Sequence, residues 1–121
     1  MSKILVAEDN LPSRELMREI LETSGHEVIE AADGQQALDK LEEIEPDLVL
    51  LDIQMPLLDG YAVVRRLRQT PRFAGLRILA LTAYAMQGDR EKVLEAGFDG
   101  YLTKPIDIAK LTKEIQQFLG N

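Results

Sequence analysis

The chain has 121 residues, 45% of them hydrophobic and 29% charged, which is enough to bury one core and too little for two, so one ordered domain over 1–121 is expected. It has no cysteine and one histidine, His26; this excludes disulfide scaffolds, thiol nucleophiles, histidine pairs and most structural zinc sites, and agrees with a reducing, cytoplasmic setting. A formal net charge of −7 opposes the counterion release that drives nucleic-acid binding, and no apolar run approaches the roughly eighteen residues of a membrane span, so neither nucleic acid nor membrane is an expected partner.

Taken in order, Ile4 to Ala7 is an apolar run predicted as the first strand, and Glu8, Asp9 and Asn10 follow it. Pro12 stands in the first turn of a helix whose Leu16, Met17, Ile20 and Leu21 recur at helical spacing and which stops at Gly25. Glu27 to Ala31 reads as the second strand, with His26 before it as a surface ring without a role. Asp33 caps the next helix, Gln36 stands three residues on, Ala37, Leu38, Leu41 and Ile44 face inward, and Pro46 lies past the end. The third strand, Leu48 to Leu51, terminates at Asp52, and Asp59 caps a helix from Gly60 to Gln69. Arg77 to Leu81 is the fourth strand, followed by Thr82 and Ala83. Met86, Gln87 and Gly88 are expected in a mobile loop before a helix that starts near Asp89, runs through Glu95 and ends at Gly97. Gly100 to Leu102 is the fifth strand, followed by Thr103, Lys104 and Pro105; Asp107 caps a last helix with Ile108, Leu111, Ile115 and Phe118 inward.

Short β-rich runs alternating with helices predict an α/β fold built on a parallel sheet. The first, third and fourth runs are nearly all apolar, as strands covered on both faces must be, and belong at the centre. Right-handed crossovers then give a doubly wound, five-stranded, flavodoxin-like sheet of order 2-1-3-4-5 with helices on both faces.

In such a sheet the ligand crevice lies beyond the carboxyl ends of the strands. There the chain places Glu8, Asp9, Asp52, Thr82 and Lys104. An acid at a strand end often does no more than cap the next helix. Asp52 is different, because it terminates an apolar strand, no helix start follows it, and a charge beside a buried strand needs a partner. Three carboxylates and one ammonium would be brought to zero by one divalent cation, and without it repulsion should raise at least one carboxyl pKa. An oxygen-only donor set favours magnesium or manganese, with magnesium the natural candidate. A cation beside an exposed carboxylate, with the Thr82 hydroxyl and the Lys104 ammonium, suits phosphoryl transfer to Asp52 as nucleophile.

The segments Val6-Ala7-Glu8-Asp9-Asn10, Leu51-Asp52-Ile53-Gln54-Met55-Pro56, Asp59-Gly60, Leu81-Thr82-Ala83 and Tyr101-Leu102-Thr103-Lys104-Pro105, with intervals of 43, 30 and 22 residues from Asp9 to Asp52, Thr82 and Lys104 in turn, resemble the receiver domain of two-component response regulators over the whole chain. The resemblance implies that Asp52 is the phosphoacceptor, and that Glu8 and Asp9 hold magnesium, Asp9 and Asp52 directly and Glu8 through water, with the Gln54 carbonyl completing the protein ligands. It also implies that Thr82 and the Ala83 amide bind phosphoryl oxygens, that Lys104 pairs with them, that Tyr101 is the aromatic switch, and that the Lys104–Pro105 bond is cis. The phosphodonor would be a sensor histidine kinase or a histidine phosphotransfer protein, and a downstream protein would read the surface of helix four, strand five and helix five.

Two departures stand out: the acidic pair is Glu-Asp where Asp-Asp is commoner, and Gln54 and Tyr84 occupy positions that tune acyl-phosphate hydrolysis, which suggests slow self-dephosphorylation. The implied function is a phosphorylation-dependent switch that catalyses only its own phosphorylation and dephosphorylation. The alternatives are a phosphorelay intermediate passing phosphate to a histidine phosphotransfer protein, or the receiver of a hybrid histidine kinase; Leu81 through Met86 resembles both hybrid-kinase receivers and some single-domain cell-cycle regulators, and the whole resembles a single-domain, chemotaxis-regulator-like receiver. A dedicated aspartate-nucleophile phosphatase would carry a second Asp where Gln54 stands, and no dinucleotide or P-loop glycine motif occurs. The arginines from Arg65 through Arg72 and Arg77 are read as a solvated surface. No output domain is expected in this chain, and Met1-Ser2-Lys3 beside the first strand favours a natural start.

Overall fold

In the computed structural model, which describes residues 2–83 and 89–119, strands and helices alternate as β1 (Lys3–Ala7), α1 (Leu11–Thr23), β2 (Glu27–Ala31), α2 (Gly34–Glu43), β3 (Leu48–Asp52), α3 (Gly60–Arg68), β4 (Arg77–Thr82), α4 (Asp89–Ala96), β5 (Gly100–Thr103) and α5 (Ile108–Leu119). Every pairing is parallel and the order is β2-β1-β3-β4-β5, the doubly wound flavodoxin-like sheet that the apolar runs predicted. Tyr84, Met86, Gln87 and Gly88, to which the sequence assigned a tuning position and a loop, lie outside the described residues.

Strand periodicity splits the core in two. Ile4, Val6, Leu48, Leu50, Leu79 and Leu81 point to the side covered by α1 and α5, where Met17, Leu21, Leu111 and Ile115 meet them. Leu5, Val49, Leu51, Ile78 and Ala80 point to the other side, against Ala37 and Leu41 of α2, Val63, Val64 and Leu67 of α3, and Val93 of α4. Each fully buried aliphatic side chain contributes about 1.5–3 kcal/mol of transfer free energy, which makes β1, β3 and β4 the rigid centre on which the loops are carried.

The loops at the carboxyl edge are tied down by caps. Asn10, Asp33, Asp59 and Asp107 accept from the backbone N–H three residues on, at 2.9, 2.7, 2.9 and 3.1 Å. Gln36 answers Asp33 by accepting from Ala32 N at 2.9 Å. Gly97, at φ +118° just past α4, adopts the left-handed conformation that ends a helix.

Several expectations require correction. Leu16 is 42% exposed and Ile108 59% exposed, because each lies at the margin of its helix's apolar stripe, where spacing alone does not separate inside from outside. A short 3₁₀ turn at Pro71–Phe73 intervenes before β4. His26 is half-buried rather than a surface ring. The arginine stretch is not simply solvated: Arg68 donates to the carbonyls of Gly97 at 2.8 Å and Phe73 at 3.0 Å and pairs with Asp99 at 3.0 Å, while Arg72 donates to Leu41 O at 2.6 Å and lies over the Phe73 ring.

Candidate functional site

The register of the three central strands brings the site together. Ala7 is paired with Leu51, so Glu8 and Asp52 leave adjacent strands at the same height. Asp52 is in turn paired with Leu81, one residue before Thr82, and Thr82 with Thr103, one residue before Lys104. Asp52 and Thr82 are the last residues of their strands rather than the first residues beyond them. Glu8, Asp52 and Thr82 are buried, Glu8 completely and Asp52 to all but 2% of its surface, whereas Asp9 and Ala83 are exposed.

One carboxylate oxygen from each of Glu8, Asp9 and Asp52 lies within 4.8 Å of the other two. Lys104 crosses into this cluster from the β5–α5 loop, where its peptide bond to Pro105 is cis and its N–H donates to Thr82 O at 2.8 Å. Its ammonium donates to Asp52 Oδ2 at 2.6 Å and pairs with Glu8 Oε1 at the same distance. Asp52 Oδ1 accepts from the Gln54 N–H at 2.8 Å. The partner that a charge at the end of β3 requires is therefore Lys104, 52 positions away in the chain.

One ammonium among three acids leaves the cluster negative. Burial first, and the neighbouring Asp52 second, lift the Glu8 carboxyl from 4.5 to about 7 against the pull of Lys104. The direction is the one expected of a crowded acid site without a cation, but desolvation outweighs repulsion as its cause. Burial acts to lower the Lys104 ammonium, yet its bonds to Asp52 and Glu8 outweigh this and hold it above its ordinary value. Among the described residues, the buried Glu8 Oε1 meets no donor but the Lys104 ammonium, which lies off the hydrogen-bonding angle. An oxygen-only set of three clustered carboxylates, with a buried oxygen that meets only an off-angle ammonium, suits a hard divalent cation such as magnesium.

The loop after Asp52 is packed against the site. Gly60 opens α3 so close to β3 that a Cβ there would stand 2.5 Å from Asp52 O and 2.8 Å from Ile53 Cα. Only glycine permits that approach, and it fixes the backbone from which Asp52 projects.

Comparison with known proteins gives the same picture. Residues 4–116 match the model of the response regulator receiver domain. This chain belongs to that family. It is 36% identical over 118 residues to the polar-differentiation response regulator DivK of Brucella anthropi, covering 98% of this chain and 96% of DivK. Among solved structures, it is 38% identical to the receiver domain of the sensor histidine kinase PA1611 from Pseudomonas aeruginosa PAO1, with a TM-score of 0.90 and 99% and 98% of the two chains covered. That domain carries a magnesium ion coordinated in its active site cleft. The chemotaxis response regulator CheY4 of Vibrio cholerae is 30% identical, with a TM-score of 0.93 and coverage of 98% and 99%. The receiver domain is thus a component of two-component signalling, a family in which phosphorylation and magnesium are typical. Among the described residues, no helix is long and apolar enough to cross a membrane.

Sequence reasoning missed two residues beside the receiver's acid cluster. Arg14 donates to the main-chain oxygen of Glu8 at 2.9 Å and pairs with Glu30 at 3.0 Å. The visible signals were arginines four apart on α1 and an acid between Ile29 and Ala31 in the second strand.

Proposed function

We propose that this receiver domain is a phosphorylation switch in which Asp52 accepts a phosphoryl group from a phosphohistidine donor, a sensor histidine kinase or a histidine phosphotransfer protein. The observation that carries the reading is the Asp52 carboxylate, buried at the end of β3 yet held from both sides, by the Gln54 N–H on one oxygen and by Lys104 on the other. A carboxylate fixed in this way is oriented for in-line attack with little entropy left to lose.

In the step itself, an Asp52 oxygen forms a bond to phosphorus as the bond from phosphorus to the donor imidazole nitrogen breaks, and that nitrogen keeps the electron pair. Magnesium, held by Asp9, Asp52 and the Gln54 carbonyl, with Glu8 acting through water, would supply charge neutralisation of the phosphoryl oxygens. Lys104, already within the cluster, would follow the negative charge from the carboxylate to the phosphoryl group. The Thr82 hydroxyl and the Ala83 N–H would bind the remaining oxygens. Gln54 offers no group that activates water, in keeping with a slow loss of the phosphoryl group.

Output would pass along β5. Tyr101 is half-buried against the core on the α4 side and lines a groove of about 530 Å³ bounded also by Arg90, Leu94, Lys110, Lys113 and Phe118. Movement of Thr82 toward a phosphoryl group would let the Tyr101 ring turn inward and reshape that groove for a downstream protein. A cytoplasmic location fits a donor of this kind.

The test is mass spectrometry after incubation with acetyl phosphate and magnesium. The native chain should gain one phosphoryl group and Asp52→Asn none; a gain that persists in the variant removes Asp52 from its role. A second reading, that the domain relays phosphate to a histidine phosphotransfer protein, is favoured by its 38% identity to a sensor kinase receiver. It is separated from the first by measuring partner affinity with and without beryllofluoride: a switch binds differently in the two states, and a relay binds alike.

A further inference from the structure

The turn between β1 and α1 carries Glu8 and Asp9, and we infer that Arg14 is a positioning residue that holds this turn in its metal-binding shape, with Glu30 as its anchor. The inference rests on reading the turn as part of a magnesium site. Glu8 N donates to Ala31 O at 3.0 Å, which ties one side of the residue to β2. Arg14 Nη1 donates to Glu8 O at 2.9 Å, which ties the other. Because the peptide unit is planar and trans, a fixed Glu8 carbonyl also fixes the N–H and the Cα of Asp9. Asp9 has no strand pairing to hold it, since β1 ends at Ala7, and its side chain is exposed. On its far side, Asn10 O accepts from Arg14 N at 3.0 Å. Arg14 therefore grips Asp9 from both ends, with its main chain and with its guanidinium.

The guanidinium is itself anchored. Its Nε donates to Glu30 Oε1 at 3.0 Å, with the Arg14 side chain only 15% exposed. The other Glu30 oxygen accepts from Arg18 Nη1 at 2.8 Å, and Arg18 also pairs with Glu22 at 3.2 Å. Had the role been only to dock α1 on β2, the Arg18–Glu30 pair would serve. The bond to Glu8 O is what requires a rigid fork with two donors aimed at two acceptors, which lysine does not have.

Charge gives the test its sign. Arg14, Arg18, Glu22 and Glu30 sum to zero, so removal of either arginine makes the neighbourhood more negative and, by Coulomb attraction alone, draws a dication more tightly. Loss of positioning acts in the opposite direction, and only Arg14 touches the turn. We expect Arg14→Gln to raise the magnesium Kd about tenfold, in the range found when groups that orient metal ligands are removed. The Kd is read from amide shifts of Asp9 and Gln54 in a magnesium titration of the full chain. Arg14→Lys, which keeps the charge but reaches one acceptor, should fall between. Glu30→Gln should weaken binding severalfold, and Arg18→Gln should bind at native strength or slightly tighter. If Arg14→Gln is folded and binds magnesium as well as the native chain or better, the inference is overturned. Were Arg14→Gln to unfold, an unchanged Kd in Glu30→Gln would overturn it equally. A native chain whose amides ignore magnesium overturns the metal reading itself, and this inference with it.

Discussion

The two ends of the sheet each hold a cluster of ionised side chains, and the clusters are built on opposite terms. At the amino end, Asp99 Oδ2 accepts from Ile78 N at 2.8 Å and from Arg68 at 3.0 Å, with Arg77 at 3.8 Å from the other oxygen. The remaining donors of Arg68 go to carbonyls that close α4 and the 3₁₀ turn. One carboxylate there meets two guanidiniums and a backbone N–H. At the carboxyl end, three carboxylates cluster around one ammonium that pairs with two of them, and among the described residues the buried Glu8 Oε1 meets no donor but that ammonium, off the hydrogen-bonding angle. A buried polar network that is fully satisfied holds a fold together. One left short of positive charge is costly to the folded protein and is suited to an incoming cation or phosphoryl group.

The largest effect expected from this contrast is at the satisfied end. Arg68→Ala strips Asp99 of its closest cation, removes the Arg68 donor from the Gly97 carbonyl and leaves the Phe73 carbonyl to Leu76 N alone. It should cost about 2–4 kcal/mol, read as a drop in the urea midpoint at unchanged slope, while acetyl phosphate still labels Asp52. A loss below about 1 kcal/mol, the range of exposed pairs, would show that this end is held by solvated contacts and would erase the distinction.

A smaller effect of opposite sign is expected at the acid end. The folded pKa of Glu8, about 7, lies above its ordinary 4.5, so the folded state binds the extra proton in that interval. The stability Glu8 contributes is thus fully present below about pH 4.5 and is lost as pH rises through 7. Without metal, Glu8→Gln should match the native chain near pH 4.5 and exceed it by about 1–3 kcal/mol at pH 8. Magnesium at pH 8 should narrow that gap by stabilising the native chain. Thermal unfolding at the two pH values checks both statements. A native chain more stable at pH 8 than Glu8→Gln in the absence of metal would show that Lys104 already compensates the cluster.

The same contrast explains what was legible in the sequence. Glu8, Asp52, Thr82 and Lys104 could be placed in one crevice because each ends or follows a strand, and strand order alone decides which chain ends converge. The caps Asp33, Asp59 and Asp107 were legible because a cap acts over three residues. Arg68 and Arg14 were not. Arg68 was read only as part of a solvated stretch and Arg14 was not singled out, because the meaning of each depends on a long side chain reaching another element, 31 positions away for Arg68 to Asp99 and 16 for Arg14 to Glu30. Leu16 and Ile108 failed for a related reason, since the width of an apolar stripe is set by the neighbour that covers it and not by the helix that bears it.

The smallest expected effect lies in the loop that follows Asp52. Leu58 N donates to Pro56 O at 2.7 Å, closing a γ-turn about Leu57, which has φ +69° and is 88% exposed. A γ-turn of this hand is strained for any residue with a Cβ, at a cost of about 1–2 kcal/mol. Leu57 gains no burial to offset it. Leu57→Gly should remove the strain while losing about 0.5–1 kcal/mol to the greater freedom of the unfolded chain, a net gain of roughly 0.5 kcal/mol. Leu57→Ala keeps the strain, removes only the exposed side chain and should leave the unfolding midpoint unchanged. If both variants unfold as the native chain does, the turn is relaxed. If Leu57→Gly gains stability while acetyl phosphate labels it more slowly, the strain is part of how the loop holds Gln54 beside Asp52, and the acid end then departs from local rules in its backbone as well as in its charges.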